Sequence, residues 1–234
     1  MKRDALEYIV EGCEQVVVFD KLMDNMTYTS KPVHEVEIPI QSNIQTHTLQ
    51  GLLDYIDLEE FPKGSFIHVY DPSSVTIKSP VRDGDKKRIL FAEAIYSDRF
   101  RTPGFIPAEE FVIFIQSKFI QDENTSKVLE IVSNMKSGSS VKIGDNGISQ
   151  MVEVKTGAVS LAEVNIPNPI RLHPMRTFPE VSQPAQDFVL RIKQDRDGLP
   201  SVGLIEGDAG AWEIEAINNI KNWLKVLTQI PVIG

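Results

Sequence analysis

Apolar positions along this chain switch repeatedly between a period near two and a period near 3.6, the pattern of strands interleaved with helices. Ala5, Leu6, Ile9 and Cys13 recur at spacings of three and four and predict a short amphipathic helix over 3–13, which Gly12 helps to end. Val16–Phe19 is short, apolar and β-branched, and Val33–Ile40 alternates until Pro39 interrupts it. Both predict strands, the second at a sheet edge, with the polar stretch 24–31 as a loop between them. Leu49, Leu52, Leu53 and Ile56 share one helical face behind Thr46 or Thr48 as N-cap, and this helix should end near Phe61-Pro62-Lys63-Gly64. Phe66–Tyr70 and Val75–Ser79 then alternate on either side of Asp71-Pro72-Ser73-Ser74, which suits a type I turn and predicts a hairpin. Asp83-Gly84-Asp85 punctuates the chain before Arg88–Tyr96, a third strand that extends the hairpin into an antiparallel meander, and 98–107 is a loop.

From Pro107 the period lengthens. Pro107 fits a first-turn position, Glu109 and Glu110 follow it, and Phe111, Phe114, Ile115 and Phe119 recur at helical spacing, with a strand through Phe111–Ile115 as the alternative. Thr125 is placed to cap a second helix with the stripe Val128, Leu129, Val132 and Met135, stopping before Gly138. Ser140–Ile143 and Ile148–Lys155 flank Asp145-Asn146-Gly147, where Asn-Gly favours a tight hairpin. Phe188–Lys193 and Val202–Ile205 predict strands separated by the turn-rich Asp195–Pro200. Gly207-Asp208-Ala209-Gly210 then leads, with Asp208 as cap, into a long helix bearing Trp212, Ala216, Ile217, Ile220, Trp223, Leu224 and Leu227 along one side. The tail Thr228–Gly234 has no period and is free to pack on a neighbour. The expected class is α+β: antiparallel β hairpins or a meander, a central helix pair and a C-terminal amphipathic helix, organised as halves 1–106 and 107–234 of one compact unit.

Composition narrows the function. With 234 residues, 41% hydrophobic and 24% charged, the chain has the make-up of an ordinary globular protein. Its formal charge of −9 argues against duplex DNA wrapped over a broad surface, because that affinity comes mainly from neutralised phosphates. Cys13 is the only cysteine, which excludes an internal disulfide and any multi-cysteine metal site. No run approaches eighteen apolar residues, and acids interrupt what would be a signal core at the N-terminus, so no membrane association and a cytoplasmic location are expected. Neither a phosphate-binding loop, nor a dinucleotide fingerprint, nor a nucleophile elbow occurs, and no cofactor and no catalysis are expected. His34, His47, His68 and His173 stand singly, so no metal site is read from them. The adjacent acids Glu59-Glu60, Glu109-Glu110 and Asp122-Glu123 diverge by about 100° on a helix and read as solvated charge.

Two stretches carry candidate binding chemistry. Pro167, Pro169, Pro174, Pro179 and Pro184 are crowded into one segment, which must be an extended strap with few ladder hydrogen bonds of its own. Between them stand Arg171, His173, Arg176 and Phe178, which with Trp212 form a candidate grip for a small anion or a nucleotide base. Alternatively these groups tie the strap to helix ends and to Glu180 or Asp187. The second stretch is Arg82, Lys86, Lys87 and Arg88, with Arg99 and Arg101 beyond; it is a possible nucleic-acid contact diluted by Asp83, Asp85, Glu93 and Asp98.

The motifs IPNP, RTFPEVSQP and FVLR between Ile166 and Arg191, followed by GDAGAWEIEAINNIKNWL from Gly207 to Leu224, resemble the YfdQ-like family of phage and prophage proteins of unknown function. The resemblance covers roughly residues 46–227 in layout, with its specific motifs in the last third, and His173-Pro174-Met175 and Asp208-Ala209-Gly210 differ from the family's aromatic and double-glycine forms. It implies a phage origin, with the host cytoplasm as location and a place among early genes for recombination, replication or dealing with host defences. It supplies no catalytic residues. Three readings are carried. The first is a non-catalytic binding protein that sequesters a host factor or nucleotide signal. The second is an accessory of recombination or replication touching single-stranded DNA or its partner enzyme. The third is a self-assembling ring or shell. Apolar surface on 212–227, on the tail and on 105–119 points to a homo-oligomer.

Overall fold

The protein is α+β. The computed structural model describes residues 17–20, 26–29, 43–83, 86–98, 100–133, 140–145, 150–156, 159–165, 168–194 and 199–234. The chain forms two units, Met1–Gln41 and Ser42–Gly234.

In the first unit β1 (Val17–Asp20) pairs antiparallel with β2 (Met26–Thr29). The stretch expected as a loop thus contains a strand. Its Met-Thr-Tyr-Thr run reads as polar, yet Thr and Tyr both favour the pleated backbone. The expected helix over 3–13 and the expected strand over 33–40 lie outside the described residues.

In the second unit β3 (Ile44–Thr46), β4 (Phe66–Asp71), β5 (Ser74–Lys78) and β6 (Leu90–Ile95) join a short C-terminal strand, β14 (Val232–Ile233), in a sheet of order β14-β4-β5-β6-β3. The β4–β5–β6 meander is the expected one, and Asp71 closes its first turn by accepting from the Ser73 amide (2.7 Å) and hydroxyl (2.8 Å). Both outer strands run parallel to their neighbours. The tail does not wait for a partner: the Ile67 amide donates to Pro231 O at 2.8 Å, and Val232 and Ile233 pair with Ile67 and His68.

Helix α1 (Leu49–Leu58) buries Leu49, Leu52 and Leu53, and Thr48 caps it by accepting from the Gly51 amide at 3.0 Å. A second sheet has the order β11 (Ile170–Leu172), β12 (Gln186–Gln194), β13 (Pro200–Glu206), β7 (Ile106–Pro107). Against it pack α2 (Ala108–Lys118) and α3 (Glu123–Ser133), the expected helix pair. Asp122, not Thr125, caps α3: its Oδ1 accepts from the Thr125 amide (2.8 Å), while Thr125 Oγ1 accepts from the Asp122 amide (2.6 Å). A third sheet consists of β8 (Ser140–Asp145), β9 (Gln150–Thr156) and β10 (Val159–Asn165), all antiparallel.

The last helix, α4 (Ala211–Leu227), starts from Gly210 in the left-handed region (φ 88°) without a side-chain cap. Asp208 instead shapes the preceding turn by accepting from the Gly210 amide at 3.2 Å. Ala209 is also left-handed (φ 53°), a conformation that disfavours a side chain, so this turn is held by its surroundings.

Two apolar cores result. One joins Leu49, Leu52, Ile67, Ile77 and Ala92 to Phe178, Val181, Ile220 and Val232 from the far end of the chain. The other joins Phe111, Ile115, Phe119 and Val128 to Leu172, Phe188 and Leu190. Within the second unit the first core therefore draws on both sides of residue 106.

Candidate functional site

The proline strap is the segment that passes between the two cores. Its Ile170 and Leu172 lie in one, its Phe178 and Val181 in the other. Prolines supply no amide hydrogens, so the strap is fastened by its remaining groups. The Ile120 amide donates to His173 O and the Met175 amide to Lys118 O, each at 2.9 Å. Thr177 Oγ1 donates to Pro72 O at 2.5 Å. Glu180 Oε1 accepts from the amides of Leu49 (2.9 Å) and Gln50 (3.3 Å), adding a carboxylate to the positive end of α1. Gln183 Oε1 accepts from the Arg176 and Thr177 amides, and its Nε2 donates to Phe178 O at 3.0 Å.

The five residues expected to form a grip are not assembled into one. Arg171 is exposed on β11 opposite Asp187, and its carbonyl accepts from Asn124 Nδ2 at 2.9 Å. His173 Nδ1 donates to Asp122 Oδ2 at 2.9 Å, so the carboxylate that caps α3 also holds the strap. Burial pushes the Asp122 carboxyl up, but the Thr125 amide, the His173 ring and the Thr125 hydroxyl together bring it below its ordinary value. Phe178 is 0% exposed and offers no face to a base.

Arg176 and Trp212 do meet, in an interior cluster. Only 7% of Arg176 is exposed. Its guanidinium carbon lies 4.2 Å from the Trp212 ring centroid and 4.5 Å from that of Phe100. Nη2 donates to Gln186 Oε1 in a very short contact, and Nη1 is 3.6 Å from Glu206 Oε2. Gln186 Nε2 in turn donates to Glu206 Oε2 (3.1 Å) and to Asp208 Oδ1. Burial lowers the guanidinium pKa, and Glu206, Asp208 and Glu213 act against that shift. These contacts match the structural alternative, in which the strap's cations are used to tie it down. Nε of Arg176 has no hydrogen-bond partner, the one loose end of this cluster.

The second basic stretch borders a different kind of surface. In β4 the odd positions Ile67 and Val69 face the core, which sends Phe66, His68 and Tyr70 to the outer face of the five-stranded sheet. There His68 and Tyr70 stand edge to face at 5.9 Å, and Tyr70 is 68% exposed. Lys78 of β5 reaches His68, its Nζ donating to Nδ1 at 3.4 Å. Arg88 lies over Phe66 at 4.9 Å, fixed by a bond from Nη1 to Ser79 O at 3.0 Å. Arg82, Lys86 and Lys87 continue from Arg88 in the loop before β6; the Arg82 amide donates to Lys87 O, and Lys86 Nζ is 3.7 Å from Asp83. The acids nearby are engaged, Glu93 by the Ser74 hydroxyl (3.2 Å) and Asp71 by Ser73. The result is a row of three rings edged with cations. Alternation in FIHVYD carried this row in the sequence, but which side of the strand met solvent depends on α1 and α4 covering the other.

The remaining candidates stay apart. His47 Nδ1 is 3.3 Å from Ile95 O beside α1, and His34 lies outside the described residues. Among the described residues no three His, Cys, Asp or Glu side chains are grouped to hold a metal. Asp122 turns inward while Glu123 pairs with Lys127 at 2.7 Å, the divergence expected of adjacent acids. Among the described residues no helix is long and apolar enough to cross a membrane. Compared with family models, with curated proteins and with solved structures, the chain matches none.

Proposed function

We propose that this is a non-catalytic, phage-encoded accessory of recombination or replication that holds single-stranded nucleic acid on the outer face of its five-stranded sheet. The observation that carries the reading is the row Phe66, His68 and Tyr70 on one side of β4, flanked by Lys78 and by Arg88, which lies over Phe66. Phe66 and His68 follow one another at about 6.6 Å along the strand, and Tyr70, in the bulge between Val69 and Asp71, stands edge to face beyond them, so an extended strand passing over this face can meet a ring or the Arg88 guanidinium at successive bases. Stacking of this kind tolerates any base, because every base has a π-face. The net charge of −9 belongs to the whole chain; beside the rings, among the described residues, Lys78, Arg82, Lys86, Lys87 and Arg88 outnumber Asp71, Asp83 and Glu93. A duplex buries its base faces and gains little from the rings. The reading in which the strap grips a nucleotide signal is not favoured, since Phe178 is interior and Arg176 is enclosed.

Fluorescence anisotropy with a labelled oligo(dT) of about 15 nucleotides tests the reading. Expected are a micromolar Kd that weakens steeply with salt, weaker binding to duplex, and loss of affinity in Lys86→Ala with Arg88→Ala. Salt-independent binding, no binding, or an unchanged double variant overturns it.

A further inference from the structure

Within that face one contact has chemistry of its own. Lys78 Nζ donates to His68 Nδ1 at 3.4 Å, and since an ammonium has no acceptor, Nδ1 is the unprotonated nitrogen and the ring's proton sits on Nε2. Both side chains are half-buried on the outer face, His68 with Tyr70 along its strand and Thr76 directly across on β5, and Lys78 opposite Phe66. Among the described residues the charged and titratable groups around the ring are Lys78, Tyr70, Glu93 on β6 beyond Thr76, and Arg88 one alternate position along at Phe66; Ile233 of β14 stands on the remaining side, and after it the terminal Gly234, whose carbonyl oxygen accepts from Lys221 Nζ at 3.1 Å, turns to Val69. Two potential donors therefore meet with nothing acidic directly between them. Glu93 is two strands away and bonded to Ser74.

Resting on the reading above, we infer that His68 and Lys78 form a phosphate subsite for the bound strand, and that a phosphate entering it brings a proton onto His68. The phosphate takes the Lys78 hydrogen bond for itself and offsets the ammonium's charge. Nδ1 is then released, picks up a proton from solvent, and donates to the same phosphate, so the pair grips it from two sides. In the free protein burial first, and Lys78 second, hold the ring below its ordinary pKa, which leaves it neutral and ready for this uptake. Because the bound state binds one more proton than the free state, affinity must rise as pH falls through the imidazole range. One proton limits the gain to about tenfold per pH unit.

The test is the anisotropy titration repeated with labelled oligo(dT) of about 15 nucleotides from about pH 8 to about pH 5.5 at fixed ionic strength. Neither thymine nor the phosphodiester titrates in that window, and the other histidines are controlled by His68→Gln. The wild-type Kd is expected to fall at least about fivefold between pH 7.5 and pH 5.5. His68→Gln also removes one ring of the row, so at pH 7.5 its Kd is weakened about fivefold or more, still measurable at higher protein concentration, and its pH gradient is gone. A flat wild-type profile, or a gradient retained in His68→Gln, overturns the subsite while leaving nucleic-acid binding standing. No salt-dependent binding at any pH overturns both.

Discussion

The strap over 168–184 and the outer face of β4–β5 are written in much the same residues, basic groups interleaved with aromatics, yet the fold spends them differently. In the strap Phe178 is interior, Arg176 is enclosed by two rings, and His173 is held by the carboxylate that caps α3. On the sheet face Tyr70 stands mostly in solvent, and Arg88, itself exposed, lies over the Phe66 ring. The difference follows from the backbone. A proline-rich segment has few amides to give a ladder, so its side chains must do the fastening. A meander satisfies its own backbone and leaves one face free for other work. Arg and aromatic residues close together in a sequence therefore predict binding only where the backbone does not need them.

The sharpest contrast is expected for stability. Phe178→Ala empties a fully buried ring site between strap and first core and should destabilise by about 3–5 kcal/mol in urea unfolding. Next comes Arg176→Ala, which leaves Gln186, Trp212 and Phe100 without their shared partner. Loss of a buried pair costs about 3–5 kcal/mol, but Glu206 is partly exposed and can be rehydrated, so about 2–3 kcal/mol is expected. If Arg176→Ala unfolds like the wild type but abolishes oligonucleotide binding, the assignment of the two regions is reversed.

Asp122→Asn is a smaller perturbation, about 1–2 kcal/mol near neutral pH, through loss of a charged cap and of the His173 contact. Its pH dependence has a definite sign. The folded carboxyl lies below the unfolded value near 3.8, so the stabilisation is fully present above that value and is lost as pH falls through the folded pKa. The gap between wild type and Asp122→Asn should thus close below about pH 4, which acid titrations followed by circular dichroism would show. Smallest in stability is Tyr70→Ala, within about 0.5 kcal/mol of wild type, because its ring is mostly exposed. Its effect on oligonucleotide affinity should be larger, about 1–3 kcal/mol for one lost stacking partner.

Elements with several periods of pattern were legible in the sequence. The β4–β5 hairpin, α1 with its Thr48 cap, and the α2–α3 pair all lie where alternation, turn residues and apolar stripes put them. What escaped, besides the polar β2, were strands too short to show a period, namely β3, β7, β11 and β14, whose two or three residues are recruited by a neighbouring edge. β10 escaped for another reason: its register shifts between Leu161 and Glu163, which breaks the alternation of Val159 and Leu161 before it resumes at Val164. Asp208 was misread because a left-handed Ala209-Gly210 turn intervenes between it and α4, and backbone conformation of that kind is not visible in residue type when one of the two is alanine. For the candidate sites the residue types were readable and their allegiance was not. Whether Arg176 faced a ligand or Glu206 depended on β12 and β13 folding back beside the strap, and which side of β4 was covered depended on α4 from the far end of the chain.

Amide hydrogen exchange on the whole chain, with and without saturating oligo(dT), compares the two regions in a single measurement. Added protection is expected across 66–78 and 86–90, with the strap over 170–181 slow to exchange in both states and unchanged by the oligonucleotide. Protection gained in the strap and absent from β4 and β5 would contradict the assignment of the sheet face as the surface that binds.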